Sequence, residues 1–338
     1  MDLQVMPSGS MRQHWLARLV LDRAVRLLWL LPLSMIGLFT LVSLAPVDPV
    51  QAYVGARVAL VGPDQREAIA AAWGLNEPAP QRFLAWAGHV LQGDLGESIT
   101  YNAPVAQVIL SRAGASFALI GTAFLLSLAA GFPLGLLAAA TRGSWPDRII
   151  RGAAVALAAS PGFWLAILLV LVFAVGLGWL PVCCAAPPGL TLDEVTGLDR
   201  LRHLILPALA VSAAGLPPLI LHSRARAAAF LESPAARHLA AHGATPLPLV
   251  FRHGARHAIG PALTVHLAGA GELIGGSVLA ETVFAWPGLG QATVRAATGG
   301  DGPLLLGIAL ATLLVVFTGN LLADIAARLA DPRLRMPR

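Results

Sequence analysis

One carboxylate, Glu272, interrupts the apolar run 259–279, inside the string Gly269-Ala-Gly-Glu-Leu-Ile-Gly-Gly276. A charged group at mid-bilayer costs about 2.5 to 3.5 kcal/mol, so an acid there is a functional candidate, and the small residues around it let helices approach closely. It is expected to line a path across a membrane, with a structural pairing to Arg112, or to a residue on another subunit, as the alternative. His266 shares the segment, but six residues at about 100° each set it about 240° around the helix from Glu272, so the two make no ready metal site. A histidine satisfied within a helical bundle is the competing account of His266. His253 and His257 stand at i, i+4, a spacing that chelates metal on one helix face, yet no third ligand is evident and no metal site is expected. Cys183 and Cys184 are adjacent, which gives neither a disulfide framework nor a CxxC site; two small apolar residues in a loop are expected rather than a strained vicinal disulfide or a thiol metal contact. Gly114-Ala-Ser116 lacks the following Gly of a nucleophile motif and a His partner, so no catalytic residue is assigned.

All 23 basic residues counted as Lys+Arg are arginine. A phosphate-binding loop of the form G-x-x-x-x-G-K-[ST] needs a lysine to reach the β- and γ-phosphates, so this chain has none. If ATP drives its function, a partner supplies the ATPase. Membrane topology accounts for the positive balance of +5 without nucleic acid.

With 57% hydrophobic and only 12% charged residues, the chain is too apolar for a soluble domain of its 338 residues. About 20 helical residues cross a hydrocarbon core. Runs of that kind occupy 25–44, 116–140, 153–175, 204–221, 259–279 and 304–327, which predicts six spans. The fourth carries Pro207, Pro217 and Pro218 and is expected to be kinked. Arginines cluster in the N-terminal tail (Arg12, Arg18, Arg23, Arg26), after span two (Arg142, Arg148, Arg151), after span four (Arg224, Arg226, Arg237, Arg252, Arg256) and in the C-terminal tail (Arg328, Arg333, Arg335, Arg338). With six spans all four fall on one side, which the positive-inside rule makes cytoplasmic. The segment after span one is acid-rich, with Asp48, Asp64, Glu67, Glu77, Asp94 and Glu97, and belongs outside. Span one is expected to remain as an anchor, since Pro46 would follow a cut after Ala45. In the outer segment, Asp64 and Glu67 predict a capping box opening a short helix that Gly74 closes. A second helix after Pro80 carries Phe83, Trp86, Val90 and Leu91 on one stripe and ends at Gly93.

Between spans four and five, the stretch Arg224 to Gly243 is basic and still helix-forming. A short Ala-rich helix stopped by Gly243 and presenting Arg237, His238 and His242 suits docking in a groove of a soluble partner; a solvated positive-inside loop is the alternative. Leu239-Ala-Ala-His-Gly243, with Arg237 upstream, resembles the coupling segment of the inner-membrane permeases of ABC importers for dipeptides, oligopeptides and nickel. It lacks that family's basic residues at Ala240 and His242, and Pro246 and Pro248 follow where the family continues a helix. Further matches run in order along the chain: Asp48-Pro-Val, Gly74-Leu-Asn-Glu-Pro, Gly93-Asp-Leu-Gly-Glu-Ser98, Gly131-Phe-Pro-Leu-Gly135, Ser160-Pro-Gly-Phe-Trp-Leu165, Gly178-Trp-Leu-Pro181, Glu281-Thr-Val-Phe-Ala-Trp-Pro-Gly-Leu-Gly290 and Asp331-Pro-Arg-Leu-Arg335. Gly271-Glu-Leu-Ile-Gly-Gly276 and Asp48-Pro-Val-Gln-Ala-Tyr53 lean toward the nickel and metal-chelate members.

The resemblance implies an all-α polytopic membrane protein of about six helices, with type I ABC importer permease architecture. Its expected parts are a cytoplasmic tail 1–23, a first membrane helix 24–44, an extracytoplasmic loop domain 45–110, a permease core 111–327 with a coupling loop 222–258, and a tail 328–338. It implies a permease subunit in a bacterial inner membrane, both termini cytoplasmic, that passes small peptides or metal chelates and is not an enzyme. Arg237, Ala240, Ala241 and Gly243 are expected to couple to the ATPase, and Glu272, Ser160 and His266 to line the translocation path. Expected partners are a second homologous permease subunit, ATP-binding cassette subunits that hold ATP and magnesium, an extracytoplasmic substrate-binding protein and the lipid bilayer. No cofactor is expected in this chain. A secondary transporter or channel working without an ATPase is the competing class, disfavoured because spans one to three and four to six show no matching pattern of broken helices.

Overall fold

A computed structural model describes residues 15–45, 50, 62–72, 76–187 and 194–330. Expectations for Asp48, Tyr53, Gly74, Leu75 and the tails 1–14 and 331–338 lie outside the described residues.

Long apolar runs fold as long helices because the backbone must satisfy its own hydrogen bonds where water is absent. α1 is Trp15–Leu44, α4 is Val105–Ala140, α7 is Gly197–Leu231 and α13 is Gly302–Ala330. All four are long and apolar enough to cross a membrane. Leu21, Leu28, Trp29 and Leu33 stand exposed on α1, as side chains facing lipid would.

Spans three and five depart from the single helices expected of them. Span three is two helices, α5 (Trp145–Ala159) and α6 (Gly162–Leu169), meeting at 110° across Ser160 and Pro161, and α6 runs on as a π-helical turn, Val170–Gly176. Span five begins at α9 (Pro246–Leu249), passes through a π turn at Val250–Gly254 into α10 (Ala255–Ala268), and bends 50° into α11 (Ala270–Val283). Counting each bent pair as one span gives up to six crossings. The three prolines of span four do not interrupt α7, which stays helical over 35 residues.

Shorter elements complete the chain: α2 (Pro63–Ala72), α3 (Ala79–Leu91), α8 (Pro234–Ala241), α12 (Leu289–Thr298), and a two-stranded antiparallel ribbon, β1 (Glu97–Ser98) with β2 (Ala103–Pro104). α2 starts one residue before Asp64, so this acid sits in the first turn and does not cap it; its charge suits the positive helix end there. α3 starts on Pro78 and Ala79 and ends at Gln92, with Gly93 left-handed at φ +86°.

The described chain divides into two compact units. One comprises 25–117 with 286–315. Its core joins Val105, Val108 and Ile109 of α4 to Ala292 and Ala296 of α12 and Leu304 and Ile308 of α13. Asp301, fully buried, accepts from Ser98 Oγ at 2.6 Å, Thr100 N at 2.9 Å and Leu304 N at 3.0 Å, tying the ribbon to the start of α13. Trp286 Nε1 donates to Ala115 O at 3.0 Å, and Leu289 N to Ser116 Oγ at 2.8 Å. The segment following span one is therefore packed with residues some 200 positions away in sequence.

The second unit comprises 118–285 with the chain ends, and is centred on α7. At Gly135 a Cβ would lie 2.6 Å from Ile220 O and 2.7 Å from Ser223 Cβ, so glycine lets α4 touch α7 backbone to backbone. Arg224 of α7 forks onto Asp147 of α5, with Nε to Oδ1 at 2.6 Å and Nη2 to Oδ2 at 2.8 Å, while Gly143 N donates to Oδ2 at 3.0 Å. Cys183 and Cys184 are joined as a vicinal disulfide, in place of the two free thiols expected, and Cys184 N donates to Phe284 O at 2.7 Å.

Candidate functional site

The two helix breaks meet at one cavity of about 390 Å³. Ser160 ends α5 with extended backbone, its Oγ donating to Ala156 O at 2.7 Å, and Pro161 then starts α6 at a new angle. Pro161 has no N–H to continue a helix ladder, which makes the sharp bend inexpensive. On the facing side, Gly269 ends α10, and Glu272 falls in the first turn of α11. A carboxylate suits that position because the first backbone N–H groups of a helix carry partial positive charge. Ser160 and Glu272 both line the cavity, together with Ala213, Ala214, Pro217 and Pro218 of α7.

These prolines have a chemical consequence. Pro217 and Pro218 donate no hydrogen bond, so the carbonyls of Ala213 and Ala214 lose their i+4 donors. The cavity is thus lined by an acidic residue, a serine and two residues, Ala213 and Ala214, whose carbonyls lack their i+4 donors. Irregular backbone at membrane depth is tolerated where it lines a cavity, and broken helices supply polar groups in such places.

His266 does not line this cavity. It is 3% exposed, its Nε2 is 3.2 Å from Ser127 Oγ and 3.1 Å from Phe124 O, and its ring stacks on Phe124 at 4.1 Å. Gly215 packs beside it, where a Cβ would lie 3.3 Å from the ring. Such packing gives it a structural place between α4, α7 and α10, the alternative weighed for it from sequence. Arg112, the other partner considered for Glu272, instead lies over the Tyr101 ring at 4.6 Å and donates to Gln291 at 3.4 Å.

The coupling candidates sit together on α8. Ser233 caps this helix by accepting from Ala236 N at 3.2 Å, Pro234 occupies the first turn, and the helix ends at His242 before Gly243 at φ +87°. Ala236 is buried against Phe230 and Leu249, with Leu239 packed beside them, which fixes one face inward. Arg237, Ala240, Ala241 and Gly243 are exposed on the rest of the surface. Thr245, Pro246 and Pro248 do not end the helical course here. Thr245 is the N-cap of α9 and Pro246 its first residue, where a missing N–H is harmless.

Among the described residues no three His, Cys, Asp or Glu side chains gather to hold a metal. His257 instead meets Phe230 edge-on at 4.7 Å, and His242 Nδ1 lies 2.9 Å from His238 O. Sequence reasoning missed the Asp147–Arg224 pair, because Arg224 read as part of a basic loop and nothing local links it to a residue 77 positions away, and the released carbonyls of α7, because its prolines read only as a kink.

Long apolar helices, two broken spans and a mostly apolar cavity holding Ser160 and Glu272 mark a membrane protein with a candidate path. Residues 131–336 match the family described as binding-protein-dependent transport system inner membrane component, and the chain belongs to it. It is 32% identical over 298 residues to the oligopeptide transport system permease protein AppB of Bacillus subtilis, covering 88% of this chain and 92% of the relative. It is 34% identical over 319 residues to the di/tripeptide transport system permease protein DppB of Pseudomonas aeruginosa, covering 89% and 93%. Its fold is similar to that in the structure "Inward facing conformations of the MetNI methionine ABC transporter", with TM-score 0.52 and 16% identity over 67% of this chain and 97% of that one. The chain is a multi-pass permease subunit and not an enzyme, and ATP hydrolysis belongs to a separate subunit.

Proposed function

We propose that this chain, paired with a second homologous permease subunit, forms the path by which short peptides cross a bacterial inner membrane. The peptide and di/tripeptide names of its relatives support that cargo. In this reading there are six spans, with 45–110 extracytoplasmic and both termini cytoplasmic. A substrate-binding protein delivers cargo, and ATPase subunits dock at α8 through Arg237, Ala240, Ala241 and the turn at Gly243. Cofactors of the cycle, ATP and magnesium, reside on the ATPase.

The observation that carries the path is the cavity where both broken spans meet, lined by Glu272, Ser160, Ala213 and Ala214. Acceptors and a negative charge suit the ammonium end and N–H groups of a peptide in transit. Glu272→Gln keeps the shape and removes the charge. We expect it to slow ATP-driven dipeptide uptake by the assembled transporter at least tenfold, with ATPase docking intact, a loss of about 1.4 kcal/mol. Wild-type uptake by this variant would reject Glu272 as part of the path.

A further inference from the structure

A larger cavity, of about 1190 Å³, lies wholly within the unit formed by 25–117 and 286–315. We propose that it is a second binding site, for a small zwitterion with a free carboxylate and a free ammonium group, such as a dipeptide.

Three hydrogen-bond donors on its wall carry the proposal. Nε of Arg66, Nε of Arg82 and Nε1 of Trp86 are buried and have no hydrogen-bond partner among the described residues, and all three side chains line this cavity. Buried donors are almost always paired, so three unpaired ones around one space call for an acceptor that enters it. Arg82 and Trp86 are four residues apart on α3 and share a face, while Arg66 comes from α2. Neither Arg66 nor Arg82 forms an ion pair with an acid among the described residues. A planar guanidinium fork fits a carboxylate by two parallel bonds.

The opposite charge is also present, because Glu67, Glu77 and Glu97 line the same space. A site with both signs selects a ligand with both. Apolar surface comes from Phe39 and Leu306. Phe39 meets Phe83 at 5.3 Å and underlies the Arg82 guanidinium at 5.9 Å, which holds α3 against α1. The volume far exceeds that of an ion site and is somewhat above the roughly 300–1,000 Å³ of sites for small organic molecules, room enough for a dipeptide.

Phe39 and Val42 of the lining belong to α1, a candidate membrane span, so a zwitterionic lipid headgroup, with a phosphodiester in place of the carboxylate, offers the same pair of charges from a second source. The choice of dipeptide as probe rests on the peptide reading of the cargo; the cavity argument does not.

The test uses the full-length chain in nanodiscs of phosphatidylglycerol, which has no ammonium group. Calorimetry measures binding of dialanine, dialanine amide, N-acetyldialanine and glycerophosphoethanolamine. Dialanine should bind saturably, and removal of either terminal charge should weaken it at least tenfold. The Arg66→Gln/Arg82→Gln variant should lose tenfold or more while Arg142→Gln, an exposed arginine of the other unit, keeps the affinity, and a separate binding step removed only by Glu272→Gln belongs to the path proposed above. Trp86→Phe removes only the indole donor and should weaken binding severalfold if the double variant does not insert. Saturable binding of glycerophosphoethanolamine alone would keep the zwitterion chemistry and assign it to lipid. No saturable binding of any zwitterion, or equal affinity for dialanine and both blocked forms, would overturn the proposal.

Discussion

Asp147→Ala should be among the most destabilising single changes in this chain, and the geometry gives its size. The carboxylate accepts three hydrogen bonds, two from the Arg224 fork at 2.6 and 2.8 Å and one from Gly143 N at 3.0 Å. Asp147 is 1% exposed and the Arg224 side chain 19%, so solvent cannot replace the lost partner well. Hydrogen bonds to charged groups contribute about 1.5 to 3 kcal/mol each net, but these values do not add across one buried pair, whose two ions share a desolvation cost. The net loss on removing one member of a buried pair is about 3 to 5 kcal/mol. Arg224→Met alone leaves Asp147 unpaired and should cost a similar amount, whereas Asp147→Ala/Arg224→Met leaves no buried charge and should cost less than the sum by about 2 kcal/mol or more. Arg142–Glu232, whose side chains are 53% and 67% exposed, is the internal control, and its removal should cost about 1 kcal/mol or less. Unfolding in mixed micelles by a denaturing detergent, followed by tryptophan fluorescence, measures all five proteins. A loss under about 1 kcal/mol for Asp147→Ala, or additive single variants, would refute the claim that this pair fastens α5 to α7.

Two other changes are predicted from backbone geometry. Gly135→Ala places a Cβ 2.6 Å from Ile220 O, a contact that must push α4 from α7; the expected cost is about 1 to 3 kcal/mol in the same unfolding assay, and no loss would remove close approach as the reason for this glycine. Gly243→Leu forces a branched side chain into the left-handed region at φ +87°, on an exposed turn that buries nothing. It should abolish co-purification with the ATPase subunits or transport while membrane insertion stays normal, and a fully active variant would reject α8 as the docking element.

Much of the fold was legible because lipid imposes long apolar helices, and hydropathy averaged over 20 residues finds them. The same averaging hid the breaks. Ser160-Pro161-Gly162 and Gly269 lie within apolar runs that read as single spans, while the prolines of span four, which do stand out, leave α7 helical. Glu272 was visible as a candidate because an acid in an apolar run is costly, and the structure adds that it opens a helix at a bend. The packing of Asp301 against Ser98 and Thr100 was invisible, since no local pattern links residues about 200 apart. Trp86 read as one residue of an apolar stripe and nothing singled out Arg66 and Arg82; only the cavity shows that the three line a common space.

The central claim is that this chain conducts cargo only as the permease part of an ATP-driven assembly. Reconstitution in liposomes loaded with ATP, with the second permease, the ATPase subunits and the binding protein, tests it through uptake of labelled dialanine. Uptake should require every component and stop when the ATPase is omitted. Sustained uptake by this chain alone, without ATPase, would contradict the account.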